Sequence, residues 1–199
     1  MMVPFHSMPR YWGMVRFRGL HRRSIRLTGF DYGRPGWYFL TFCCHETLLP
    51  GQYFRARPRG SFGVVRGPVV QLRPLGEMIA QEWARLGGRF PWAELGEWVV
   101  MPDHLHGLVY VNDWAGYLPR LVQAFKSTTT WRVKRELLAG QVMQRGTRLW
   151  QRNYYESVIR DARHLAAVRN YIVRNPARMA GKRFAGGAPR TGHGLVTDR

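Results

Sequence analysis

The chain reads as an α+β fold, an antiparallel sheet with helices packed on one face of it, of ferredoxin-like character. Three observations predict it. The run Gly36-Trp37-Tyr38-Phe39-Leu40-Thr41-Phe42-Cys43-Cys44 is apolar, aromatic and bounded by turn residues, as a buried central strand would be. Glu97-Trp98-Val99-Val100-Met101 and His104-Leu105-His106-Gly107-Leu108-Val109-Tyr110-Val111 are rich in β-branched and aromatic residues and flank Pro102-Asp103, which is turn chemistry, so they predict two paired strands. Between and after these segments the apolar period changes to that of a helix. The resulting order is strand, helix, strand, strand, helix, short strand, helix.

At 199 residues the chain suits one domain with a real core. Its 31 Lys and Arg against 12 Asp and Glu leave a formal charge of +19, a balance that works against compactness and favours a polyanionic partner. With 14% aromatic residues it is no disordered basic tail, and a folded nucleic-acid-binding domain is the natural reading; an arginine-rich or ribosome-associated protein is the plainer one. Cys43 and Cys44 are the only cysteines and, being adjacent, make no disulfide framework. No signal-peptide pattern and no membrane-length apolar run is present, so a protein of a reducing compartment, free of membrane, is expected.

In chain order, residues 1–35 hold seven arginines and one acid and form a basic arm, which either follows a nucleic-acid backbone or is simply solvated. Residues 50–74 hold five arginines and no acid, with short strands expected at 62–65 and 69–72 on a sheet edge. Leu75, Met78, Ile79, Trp83 and Leu86 lie at helical spacing, and Gly87-Gly88 should end that helix. Leu118, Leu121, Val122, Phe125, Val133 and Leu137 mark a second helix of about five turns, with Lys126 among the basic residues on its other faces. Residues 149–159 read as a loop and short strand. Asp161 is a good N-cap for a last helix, which Asn175-Pro176 should stop because the residue before a proline is pushed out of the helical region. Residues 177–199 read as a flexible basic tail, which leaves 36–176 as the folded domain.

Side chains alternate faces along a strand, so His104 and His106 point the same way, about 7 Å apart, as half of a divalent-metal site; a pair of partly exposed polar residues is the plainer alternative. On the last helix Leu165, Val168 and Ile172 form the buried stripe. Tyr171 sits roughly 90° from its middle, with Asn175 one turn further on the same face. A boundary tyrosine that packs its ring and wets its hydroxyl would look the same.

Met101-Pro102-Asp103-His104-Leu105-His106-Gly107, Leu149-Trp150-Gln151-Arg152-Asn153-Tyr154-Tyr155 and Tyr171-Ile172-Val173-Arg174-Asn175-Pro176 together resemble the single-tyrosine HUH transposases, and within them the REP-associated tyrosine transposases of bacteria. Arg23-Ser24-Ile25-Arg26-Leu27 followed by Gly36-Trp37-Tyr38-Phe39-Leu40-Thr41 is similar to that group's opening, and the resemblance spans roughly residues 20–180. It implies the HUH endonuclease fold and a metal-dependent nickase and strand transferase for single-stranded or hairpin DNA, such as repetitive extragenic palindromes. His104 and His106 would hold Mg²⁺ or Mn²⁺. Tyr171 would be the nucleophile that becomes joined to a 5′ phosphate. Asn175 would be a third ligand, where related insertion-sequence enzymes have a glutamine. Arg23, Arg26, Lys126, Trp150, Arg152, Tyr154 and Tyr155 are the expected DNA contacts, in the bacterial cytoplasm at the nucleoid. A non-catalytic repressor on the same fold and a phosphodiesterase using an activated water are the competing readings, and the resemblance leaves monomer and homodimer equally open.

Overall fold

The computed structural model describes residues 31–32, 34–45, 60–112, 117–137 and 148–185, with side chains through Gly181. Arg23 and Arg26, the rest of the arm and the end of the tail lie outside the described residues. Strands β1 (Gly36–Cys43), β4 (Ala93–Val100), β5 (His104–Val111) and β6 (Tyr155–Val158) make one sheet in the order β4-β5-β1-β6. Every pairing in it is antiparallel. Helix α1 (Pro74–Ala84) and the short α2 (Leu86–Arg89) link β1 to β4. Helix α3 (Leu118–Arg132), continued by a π-helical turn at Val133–Leu137, links β5 to β6, and α4 (Ala162–Ala185) follows. This is the split βαβ arrangement that the order of elements predicts. Among the described residues no helix is long and apolar enough to cross a membrane.

The helices do not share one face, as expected from sequence; they cover both. β1 is apolar on both sides, and its alternation divides the core in two. Tyr38, Leu40 and Phe42 pack with Leu105, Val109, Trp83 of α1 and Phe125 of α3. Phe39 packs the other way, with Leu108 of β5 and Val168 and Ile172 of α4. A strand run with no polar alternation needs a cover on each side, and α4 supplies the second.

Three further expectations change. Gly87-Gly88 does not end the helical run, because α2 carries it through Arg89 after a break at Arg85. The strands near 62–65 and 69–72 exist as β2 (Gly63–Arg66) and β3 (Val69–Leu72), but they form a separate two-stranded sheet rather than an edge of the main one. Backbone N–H groups of Gly60 and Phe62, just before β2, both donate to the Pro102 carbonyl, so this hairpin is tied beside the β4–β5 turn. Finally, α4 runs past Asn175-Pro176 to Ala185, so residues 177–185 are helix and not tail. Pro176 has no N–H for the Ile172 carbonyl. The helix nevertheless continues, because extending a formed helix is far easier than starting one, and α4 packs on β2 and β3 as well as on β4 and β5. Its start is as expected: Asp161 Oδ1 accepts the His164 N–H at 2.7 Å.

Gly107 fixes how α1 meets the sheet. The fully buried Trp83 indole packs against it, and a Cβ there would run into the ring. Gly107→Ala is therefore expected to lower stability by about 1–3 kcal/mol through overpacking, read as a lower midpoint in urea unfolding; an unchanged midpoint would mean that Trp83 can move aside.

Candidate active site

β5 sends Leu105 and Gly107 toward α1 and α3, and His104, His106 and Leu108 toward α4. The two imidazoles meet: His104 Nε2 and His106 Nε2 are 3.0 Å apart. Each ring is held from behind through its other nitrogen. Asp103 Oδ1 lies 2.6 Å from His104 Nδ1, and an ionised carboxylate only accepts, so in the neutral ring the proton sits on Nδ1 and Nε2 is a bare lone pair. Thr41, the cross-strand partner of His106, places Oγ1 2.8 Å from His106 Nδ1. Burial, with the His104 ring second, holds the His106 imidazole well below the ordinary histidine range, so the ring is neutral near pH 7.

When His106 carries its proton on Nδ1 toward Thr41, two bare nitrogens face each other. That contact is repulsive unless a cation lies between them. Their spacing fits one: neighbouring ligands about 2.1 Å from an octahedral ion are about 3 Å apart. Carboxylate and hydroxyl support behind each imidazole is the usual outer shell of a metal-binding histidine. Among the described residues no three His, Cys, Asp or Glu side chains gather for a metal.

α4 brings Tyr171 to the same place. Its Oη lies 3.4 Å from His106 Nε2, and its ring meets those of His106 and Phe39 edge-on, with centroids 5.4 and 6.0 Å away. Burial raises the phenol above the ordinary tyrosine range, while Asn175 and then Arg178 act to lower it. The Arg178 guanidinium stands 5.6 Å from the ring centroid. Asn175 Nδ2 is buried beside the phenol, which the amide acts on as a hydrogen-bonding group. Its carboxamide, half-buried beside the phenol, can turn about its terminal bond and exchange oxygen for nitrogen.

The other expected DNA contacts separate. Trp150 is buried, donates Nε1–H to Thr129 Oγ1 at 2.8 Å and packs on Phe42, Phe62 and Phe125. Tyr154 is also buried, stacked on Phe42 at 5.6 Å. Both are core residues of the α1–α3 side, and their ring faces are closed to bases; aromatic content alone did not distinguish the two uses. Lys126 donates to the backbone carbonyls of Gln151 and Arg152 at 2.6 and 2.9 Å, which pins the loop before β6. Arg152 itself is exposed. Tyr155 is 40% exposed and sits opposite Thr41 across β1 and β6, so it lies on the histidine face, one strand beyond Thr41. Sequence reasoning missed Thr41 and gave Asp103 only a turn. Asp103 could have been found from its place directly before His104, but Thr41 depends on the register.

Residues 91–175 match the family model described as "Transposase IS200 like". An uncharacterized protein of Haemophilus influenzae is 32% identical over 178 residues, covering 78% of this chain and 88% of that protein. The solved structure of a REP-associated tyrosine transposase bound to a REP hairpin superposes with a TM-score of 0.53 at 17% identity, covering 92% of this chain and 95% of that one. That likeness is one of fold.

Two predictions follow from this geometry. For the divalent-metal site expected at His104 and His106, Asp103→Ala and Thr41→Val should each weaken Mn²⁺ binding about 10–100-fold by calorimetry, and unchanged affinity in both would remove their supporting role. Burial pushes the Lys126 ammonium down to about 8 from 10.5, so between those values the unfolded chain holds a proton that the folded chain has released. This group's contribution to stability then rises with pH across that window. In denaturant unfolding the wild type should gain on Lys126→Gln between about pH 7.5 and about pH 9.5, and a pH-independent difference would contradict the shift.

Proposed function

The chain belongs to the IS200-like transposase family, and from that premise we propose that it is a metal-dependent endonuclease and strand transferase for single-stranded DNA with Tyr171 as nucleophile. One observation carries the reading: within a single chain, the Tyr171 hydroxyl lies 3.4 Å from His106 Nε2, which is itself 3.0 Å from His104 Nε2. His104 and His106 would hold the ion, with the Asn175 carboxamide as a third ligand and the DNA's own oxygens at the open positions. A divalent ion there supplies charge neutralisation on the non-bridging phosphate oxygens. Imidazole suits manganese better than magnesium.

The rest is the work of this chain's residues. Tyr171 Oη attacks phosphorus and forms a phosphotyrosyl ester on the 5′ side. The phenol gives up its proton, and the departing 3′ oxygen takes one up. The ester keeps the energy of the broken bond, so a second 3′ hydroxyl can attack it and rejoin a strand without another energy source. A phenol is almost wholly protonated at pH 7, and burial makes it more so. Asn175 and Arg178 offset that effect, and Phe39 with the His106 ring fixes the direction of attack. Tyr155, exposed on the same face, would take the strand next to the cleaved bond, and the exposed Arg152 in the loop before β6 would contact its backbone. The resemblance to REP-associated enzymes supports DNA hairpins with a single-stranded flank as substrate.

The test is incubation with such a hairpin oligonucleotide and Mn²⁺. A protein–DNA adduct that survives denaturation is expected, abolished by Tyr171→Phe and by chelation, and reduced at least about 100-fold in His106→Ala. Cleavage that persists in Tyr171→Phe would replace the tyrosine with a water nucleophile.

A further inference from the structure

Arginine and an exposed aromatic also meet far from the phenol. α1 and α3 cover the side of the sheet away from His104 and His106, and between α1–α2 and the end of α3 lies a cleft of ≈ 450 Å³. Four arginines stand there against two carboxylates. Buried Glu82 accepts from Arg85 at 2.7 Å and Arg132 at 2.8 Å; Glu136 accepts from Arg132 at 2.8 Å and Arg135 at 3.3 Å. Arg89 has a neutral partner in the cleft, Thr128 Oγ1 at 3.0 Å. This network braces α1 against α3, but a brace needs neither the surplus of positive charge nor an open indole. Trp131 is 53% exposed, with the Arg135 guanidinium 4.1 Å from its ring centroid. The π-helical turn at Val133–Leu137 carries Arg135 and Glu136, the partners of Trp131 and Arg132; such turns are rare and concentrate at functional sites.

A planar π surface flanked by guanidinium groups with net positive charge suits a ligand that is both aromatic and anionic. We propose that this cleft is a second contact for the DNA, taking one unpaired nucleotide of a single-stranded flank, its base against Trp131 and its phosphate at Arg89 and Arg85. The proposal rests on the DNA-binding half of the function given above. It adds a site on the opposite side of the sheet, so that a bound strand runs around the domain instead of ending at the phenol.

The test uses the full chain carrying Tyr171→Phe, so that no strand is cut during titration. Single-stranded oligonucleotides containing 5-bromodeoxyuridine are irradiated on the protein, and the crosslinked residue is mapped by mass spectrometry. A crosslink at Trp131 is expected. Trp131→Ala and Arg89→Ala should each weaken binding about tenfold, and Arg89→Ala should reduce the slope of log affinity against log salt by about 0.7. Both side chains are exposed, so the variants should keep the wild-type unfolding midpoint. Crosslinks confined to the histidine face, with affinity and salt slope unchanged in both variants, would overturn the proposal while leaving the tyrosine chemistry intact. Conversely, a Trp131 crosslink in a protein whose wild type forms no adduct would refute the chemistry and keep the cleft.

Discussion

The register between β1 and β5 is the constraint on which everything else depends. Thr41 stands opposite His106 and Cys43 opposite His104. A slip of one residue would turn both imidazoles into the α1–α3 core and put Leu105 in their place. The register is held on both sides of the sheet at once: Trp83 sits on the bare Cα of Gly107, and Phe39 and Leu108 pack under α4. The glycine that follows the second histidine therefore serves the side of the sheet that the histidine does not face. It lets α1 close on β5, and that contact keeps the neighbouring imidazoles pointed outward.

The two sides are unequal, and the inequality suits the proposed chemistry. The α1–α3 side carries the large core, with Phe42, Phe125, Trp83 and Trp150 meeting ring against ring. On the α4 side the buried hydrophobic residues are Phe39, Leu108, Val168 and Ile172. At about 1.5–3 kcal/mol for each buried side chain, that small cluster, with the packing of α4 on β2 and β3, seats the helix that carries Tyr171. The Arg169–Glu97 ion pair at 3.0 Å adds little, because both partners are substantially exposed. A larger cluster would hold α4 more firmly, but it would also cover the strip from Thr41 to Tyr155 that the proposed DNA strand would follow.

Much of this was legible in the sequence, and the failures have physical causes. Strand alternation places His104 and His106 together whatever the fold, and the flank position of Tyr171 follows from helix geometry. The β1 segment carries the evidence against helices on one face only, since an apolar run with no alternation is a strand covered on both sides. Trp150 and Tyr154 misled because an aromatic beside arginine reads alike whether it stacks on a base or on Phe42; only burial separates the cases. Pro176 misled because a proline rule describes the local chain, and α4 is held by what it packs against. Thr41 was beyond reach, since its role exists only through its pairing with a strand more than sixty residues away.

The amide one turn after the tyrosine bears on the choice of third ligand. A carboxylate at position 175 would bind a divalent ion more strongly, but its negative charge beside Tyr171 would raise a phenol that burial already raises. A carboxamide offers an oxygen to an ion without that penalty, and its N–H can favour the phenolate instead. The Asn175 amide, through its hydrogen bond, and the Arg178 guanidinium over the ring make this end of α4 a place where negative charge on the phenol oxygen is more welcome than its burial alone would allow. In the proposed reaction the phenol would lose its proton as it attacks and regain it when the strand is released, so it needs both states within reach. Burial favours one state, and the neutral amide and the arginine favour the other.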